Sequence, residues 1–349
     1  MSHRRVITIA GAAVVLALVA GILAWRWWPD EATRLESAVT GAPAAERYAW
    51  TDWAAVRRSA DMELTATSPA NDVEELLSRG FDADLVSTSA LGESAAVMQT
   101  DFGFSPATAD WELLSQGEKT SSITLRLTDV VDFDDVTDNL RSLEYAEPST
   151  AEGTWSTDSA TAPITARVTP ELAFVALDVE RRLVFASSSA AGVDVARDAA
   201  AAEDNHPVPD GVLAALGDAA TAVVYTGAQA CSELAMGHAD AGEQATADAL
   251  VAAAGPVDPM TGYGFGLTAS GALTAALSFE DDERARRNAD SRAVLAAGPA
   301  PGQGSTFADR FAVEEVVADG SVVTMHLDAV AGAYAFSDLS TGPVLFATC

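Results

Sequence analysis

The run Val6–Trp25, "VITIAGAAVVLALVAGILAW", holds twenty residues without a charge. At roughly 1.5 Å of rise per residue, a helix of that length spans about 30 Å, the depth of one bilayer hydrocarbon core. Arg4 and Arg5 precede it, which orients the N-terminus toward the cytoplasm and sends the remainder outside. Trp25, Trp27 and Trp28 then fall at the outer interface, with Arg26 placed to snorkel. A cleaved signal peptide needs small residues after the apolar run, where "GILAWRWWPDE" has bulky ones. A lipoprotein needs a cysteine there, and the first is Cys231. The expectation is a retained single-pass anchor over residues 6–28, with a cytoplasmic stub at 1–5 and an extracytoplasmic remainder. Cleavage stays open as the alternative. The lipid bilayer is the one partner this segment implies.

The charge narrows the other partners. The chain carries 51 Asp and Glu against 20 Lys and Arg, a formal net charge of −31, and Lys119 is its only lysine. Such a surface repels phosphate backbones, so nucleic acid is not an expected partner. An apolar fraction of 49% excludes a disordered chain and supplies material for a packed core.

Residues 29–45, broken by Pro29, Gly41 and Pro43, read as a linker. Beyond them the chain echoes itself. "RYAWTDWAAV" from Arg47 resembles "AVVYTGAQAC" from Ala222: an aromatic–Thr pair closes a short strand and a helix follows. "SSITLRLTD" alternates Ile123, Leu125 and Leu127 against Thr124, Arg126 and Thr128, the period of a half-buried strand. The acid-started helix "DFDDVTDNLRSL" comes next. In the second half "GALTAALSFE" leads into "DDERARRNADSRAVL" in the same way. Each half then ends in paired strands, the second pair meeting at Asp319-Gly320. The fold class expected is α+β: two similar strand–helix–strand–helix–hairpin modules over 46–203 and 211–349, joined by a linker at 204–210. An internal duplication accounts for the echo.

Catalytic patterns fare poorly. "GESAA" at Gly92–Ala96 lacks the second glycine of a nucleophile elbow and follows no apolar strand. Lys119 has Gln116, not serine, three residues earlier. His238 has Asp240 and Glu243 nearby but no second histidine, and a zinc site in sequence needs close ligand pairs. His326 shares a strand face with Thr324 and Asp328, a polar and wet face. Asp132, Asp134 and Asp135, like Glu280 to Glu283, fit helix starts better than calcium loops. "GPAPGQG" at 298–304 lacks the lysine of a phosphate loop. Gly262, Gly264 and Gly266 occupy one strand face, so a helix packed closely on the sheet is expected there, with a shallow groove as the alternative. No metal, cofactor or catalytic residue is assigned.

Two features remain. Trp50, Trp53, Trp111 and Trp155 all fall in the first half, and are the candidate aromatic interaction surface, with core packing as the plainer reading. Cys231 and Cys349 are the only cysteines. Outside the cytoplasm they are expected to form one intrachain disulfide, with "VLFAT" as a closing strand that brings Cys349 to Cys231. An intermolecular bridge or two free thiols are the alternatives. The functional expectation is a non-enzymatic, membrane-anchored envelope protein that binds another envelope protein or a wall polymer, or has a structural role. A cell-surface hydrolase using dispersed carboxylates is the runner-up, and oligomeric state is open.

Overall fold

Short runs of alternating or aromatic residues pair throughout this chain, and in the computed structural model they build one large sheet. The structure describes residues 32–158, 162–202, 208–209 and 211–349. The expected stub and anchor, residues 1–28, and most of the 204–210 linker lie outside the described residues. Among those described, no helix is long and apolar enough to cross a membrane.

The sheet has eleven antiparallel strands. From the first half come β1 (Arg47–Thr51), β2 (Ala109–Gln116), β3 (Ser121–Leu127), β4 (Thr154–Ser156), β5 (Phe174–Asp178) and β6 (Leu183–Ser187). From the second come β7 (Thr221–Thr226), β8 (Gly262–Leu267), β9 (Ala272–Ser278), β10 (Phe311–Asp319) and β11 (Val322–Ala329). Their spatial order is β10-β11-β9-β8-β7-β1-β2-β3-β6-β5-β4. Outward from the centre, each half therefore places two consecutive strands, a third, then the second and first strands of its last hairpin. The halves meet where β1 pairs with β7, Arg47 opposite Tyr225, Ala49 opposite Val223 and Thr51 opposite Thr221. The α+β class is thus a mixed helix and antiparallel-sheet architecture in which both halves share one sheet.

Side-chain alternation divides the sheet into two faces. On the back face Tyr48, Trp50, Leu113, Phe185 and Val224 join the helices α1 (Arg34–Thr40), α5 (Ala190–Ala202) and α6 (Val212–Leu216). On the front face Ala49, Ile123, Leu125, Tyr263, Phe265 and Met325 join α2 (Trp53–Ser59), α3 (Ala70–Asp82), α4 (Phe133–Ser142), α7 (Ala241–Ala254), α8 (Asp282–Ala296) and α9 (Ala335–Leu339). The acid-started helices form as their sequences dictate. Asp132 caps α4 by accepting from Asp134 N at 2.9 Å, and Asp281 caps α8 by accepting from Arg284 N at 2.8 Å.

Three expectations need correction. Residues 29–45 are not all linker: α1 buries Leu35, Ala38 and Val39, an apolar stripe that the flanking prolines and glycine obscure. β2 was absent from the expected element order, although it sits between β1 and β3 in the sheet. The tail "VLFAT" is not a strand. Leu345–Ala347 form a turn of 3₁₀ helix, and Val344 to Ala347 are wholly buried in the front-face core. The last hairpin does turn next to Asp319, through Gly320 and Ser321, with Gly320 at φ 53°.

The alternating glycines of β8 receive α6, as their spacing predicts. A Cβ on Gly264 would lie 2.8 Å from Val212 Cγ1 and 3.0 Å from Leu216 Cδ1. The missing side chains let the helix lie flat on the sheet.

The tail is locked by four means. Cys231 and Cys349 form a disulfide with Cα atoms 5.4 Å apart. Gly342 lies against the Glu233 carbonyl so closely that no Cβ would fit. Val344 N donates to Leu234 O at 3.2 Å. Arg292, fully buried on α8, donates to Phe346 O (2.8 Å), Thr348 O (2.9 Å) and Asp258 O (2.8 Å), with Phe279 under its guanidinium. Burial pushes its pKa down to about 10, and the three carbonyls offset the cost of the buried charge. Asp258 in turn takes two bonds from Arg287, at 2.7 and 2.8 Å, and one from Asn288 at 2.6 Å. The Arg287 hydrogen bonds are the main reason its pKa is pulled down to about 2.

Two outcomes follow from this packing. Gly264→Val should lower the urea midpoint at unchanged m-value, by about 1–3 kcal/mol of overpacking strain. Asp258 titrates below its unfolded value, so its stabilisation is present above about pH 4 and lost as pH falls toward 2. Asp258→Asn should therefore flatten the acid limb of the stability profile between those limits, read by denaturant titration at each pH.

Candidate functional site

All four candidate tryptophans are buried, and none belongs to an interaction surface. Trp50 and Trp111 pack together on the back face with ring centroids 5.6 Å apart. Trp50 Nε1 donates to Ala219 O at 2.9 Å, across the β1–β7 junction. Trp53 Nε1 donates to Glu112 Oε2 at 3.0 Å, and Trp155 lies under Arg141. All four rings fill core, and Trp50 and Trp53 satisfy their N–H groups inside it, the behaviour of large amphipathic side chains between packed layers.

Glu112 was not picked out by sequence. It lies two residues after Asp110 in strand β2 and, unlike that half-buried aspartate, is 1% exposed. Besides Trp53, it accepts from Ser89 Oγ at 2.8 Å and Ala90 N at 2.7 Å. Burial raises its pKa, and these donors oppose the rise. Alongside it, Thr88 Oγ1 links Thr51 Oγ1 (2.9 Å) and Thr221 Oγ1 (2.7 Å), one residue from each central strand. This cluster joins the first connecting loop to both halves of the sheet. Its carboxylate and threonine hydroxyls are buried, with Ser89 and Ala90 half-buried at its rim.

A concave surface lies where the two halves of the sheet touch at the end of α3. A cleft of about 320 Å³ is lined by Asp82 and Asp84 from the first half and by Gly271, Asp328, Tyr334 and Phe336 from the second. One carboxylate joins its two sides. Asp84, in a left-handed conformation (φ 60°), accepts from Phe336 N at 2.7 Å and from Ser337 N at 3.1 Å, and also takes the Ser337 hydroxyl. It thereby caps α9, whose own N-cap residue Tyr334 is left-handed too (φ 48°) and makes no side-chain cap. Burial raises the pKa of Asp84, against these donors. Tyr334 instead meets Phe81, ring centroids 5.3 Å apart. Phe81, 56% exposed, is the one exposed Phe, Tyr or Trp ring among the described residues.

This arrangement offers an aromatic pair, exposed carboxylates and a small apolar floor of Leu267 and Leu273. The described residues lining it include three aspartates, Asp82, Asp84 and Asp328, and no histidine, cysteine or basic side chain. Neither Asp84 nor Phe81 was legible beforehand, since each lies at a helix end that reads as plain surface.

Elsewhere the sequence candidates separate. His238 is exposed, with Nε2 2.9 Å from Ser232 O, while Asp240 caps α7 and Glu243 accepts from Gly302 N. Among the described residues no group of acidic, histidine or cysteine side chains is arranged to hold a metal ion. Ser94 is buried and its hydroxyl accepts from Thr169 N at 2.8 Å. The cleft depends most on Asp84. Asp84→Ala should free the start of α9, costing about 1–2 kcal/mol, and hydrogen exchange should quicken at Phe336 and Ser337 before it does in the sheet.

No family model matches this sequence, and no curated protein matches it. Among solved structures, one titled "Structure of crystal form I of TP0453" is similar at a TM-score of 0.42 and 9% identity, covering 87% of this chain and 96% of that one. A score at that level does not establish a common fold.

Proposed function

We propose that the chain is a membrane-anchored, extracytoplasmic protein with a non-enzymatic binding or structural role at the cell envelope. The observation that carries this reading is the Cys231–Cys349 disulfide. Bridges of this kind persist in oxidising compartments and are rare in the cytosol. The twenty-residue apolar run after Arg4 and Arg5 supports the same location. The cleft beside Phe81 and Tyr334 is the concave surface such a role would use.

The halves of the ectodomain derive, in this reading, from an internal duplication. Equivalent strand order outward from β1 and β7 supports it, as does the placement of α1 before β1 and α6 before β7, both on the back face.

The location is tested by protease treatment of cells expressing the full chain with an epitope at each end. Added protease should remove the C-terminal epitope once the wall or outer membrane is opened, and leave the N-terminal one until detergent is added. Maleimide should label no thiol unless the protein is first reduced. Protection of both epitopes without detergent, or two free thiols in the isolated protein, would overturn the proposal.

A further inference from the structure

The sheet ends differently on its two sides. β4 is three residues long, and the bridge from Ala146 to Ser156 adds to that edge. β10, at the opposite edge, runs for nine residues, "FAVEEVVAD". Ala312, Glu314, Glu315, Val317 and Asp319 are exposed along it, and Val317 is an exposed aliphatic side chain at 40%. One side of β10 pairs with β11, with a register shift between Val313 and Glu315. On its other side no strand of the described residues pairs with it. Half of the N–H and C=O groups of an edge strand point outward, so this edge is a template for another strand.

The back face beside it is open as well. In the first half α5 follows β6 and covers Ala176, Leu183 and Phe185. In the second half the chain after β11 turns to α9 and the tail, both packed in the front-face core. The rows Glu315–His326 and Val317–Thr324 are left at the surface, above a shallow groove lined by Glu314, Glu315, His326 and Leu327.

Charge decides what fits. Among the described residues, Glu314, Glu315, Asp319 and Asp328 have neither an ion pair nor a hydrogen-bonding side chain against them, while Arg310 at the foot of β10 is taken by Asp338. A second copy would bring the same carboxylates together on a chain of net charge −31, and like charges on adjoining strands are unfavourable. A neutral strand would leave them without partners. We infer that the free edge of β10 takes an extended, lysine- or arginine-bearing segment of a partner protein as a twelfth strand. Backbone bonds supply the affinity, and Glu314 and Glu315 supply the selectivity.

This deepens the binding role proposed above. Its test reads purified protein, so it fails separately from the test of location. The probe is a synthetic peptide as long as β10 in which lysine alternates with valine, added to the full chain in neutral detergent. Amide exchange across Phe311–Asp319 should slow on addition, with β4 unchanged. A peptide with glutamate for lysine should do nothing. A peptide of the same charge with proline for valine cannot extend the ladder and should bind at least about tenfold more weakly. In the variant Glu314→Lys/Glu315→Lys the preference should pass to the glutamate peptide. Equal binding by the proline peptide, slowing spread evenly over the sheet, an unchanged preference in the variant, or protection that rises with protein concentration alone would overturn the inference.

Discussion

The pairing of β1 with β7 is the contact on which the remaining architecture rests. Five residues of each strand meet in register, Arg47 to Thr51 against Tyr225 to Thr221. Without them there would be two smaller sheets, each with an open inner edge. The junction is reinforced on both faces. Trp50 reaches across the back to Ala219 O, and the hydroxyls of Thr51, Thr88 and Thr221 connect across it. Buried groups of this kind specify an arrangement more than they stabilise it, because each must find its partner or cost free energy.

The C-terminal segment applies the same logic in charged form. Arg292 is costly to bury, and it is tolerated because three carbonyls and an aromatic face replace its water. Two of those carbonyls belong to the tail, so the guanidinium can be satisfied only when the tail is docked. The disulfide then closes a segment 118 residues apart in sequence, a loop long enough for the chain-entropy effect to reach about 5 kcal/mol. The bridge limits the unfolded chain, while Arg292 orders the folded one.

Local periodicity made much of the fold readable. The alternation in β3, the acidic helix starts before α4 and α8, and the glycine face of β8 each act over a few residues, and each forms as its spacing requires. The disulfide was readable for a different reason, since two cysteines allow one intrachain pair. What escaped was set by distant partners. α1 looked like a linker because its apolar stripe has meaning only beneath the sheet. The tail read as a strand because buried 3₁₀ turns and strands share an apolar composition. For the tryptophans the plainer reading, core packing, is the one the structure bears out, and only the candidate surface falls away. Arg292 sits among arginines that do pair at the surface, Arg284 with Glu280 and Arg286 with Asp282, and nothing in its spacing separates it from them. Asp84 and Phe81 gain their roles only from residues some 250 positions away.

The near-equivalence of β1 and β7 carries a consequence for assembly. Each strand presents to the other an edge that an antiparallel neighbour related by a half-turn would satisfy. A chain divided between the halves would leave that edge bare, and the nearest complement to it is another copy of the same half. Two full chains could likewise trade halves, pairing β1 of one with β7 of the other at no cost in contacts, provided the connection between the halves can reach. Whether the sheet closes within one chain or between two then turns on the length of a connection and the effective concentration it imposes, rather than on any selectivity in the strands themselves.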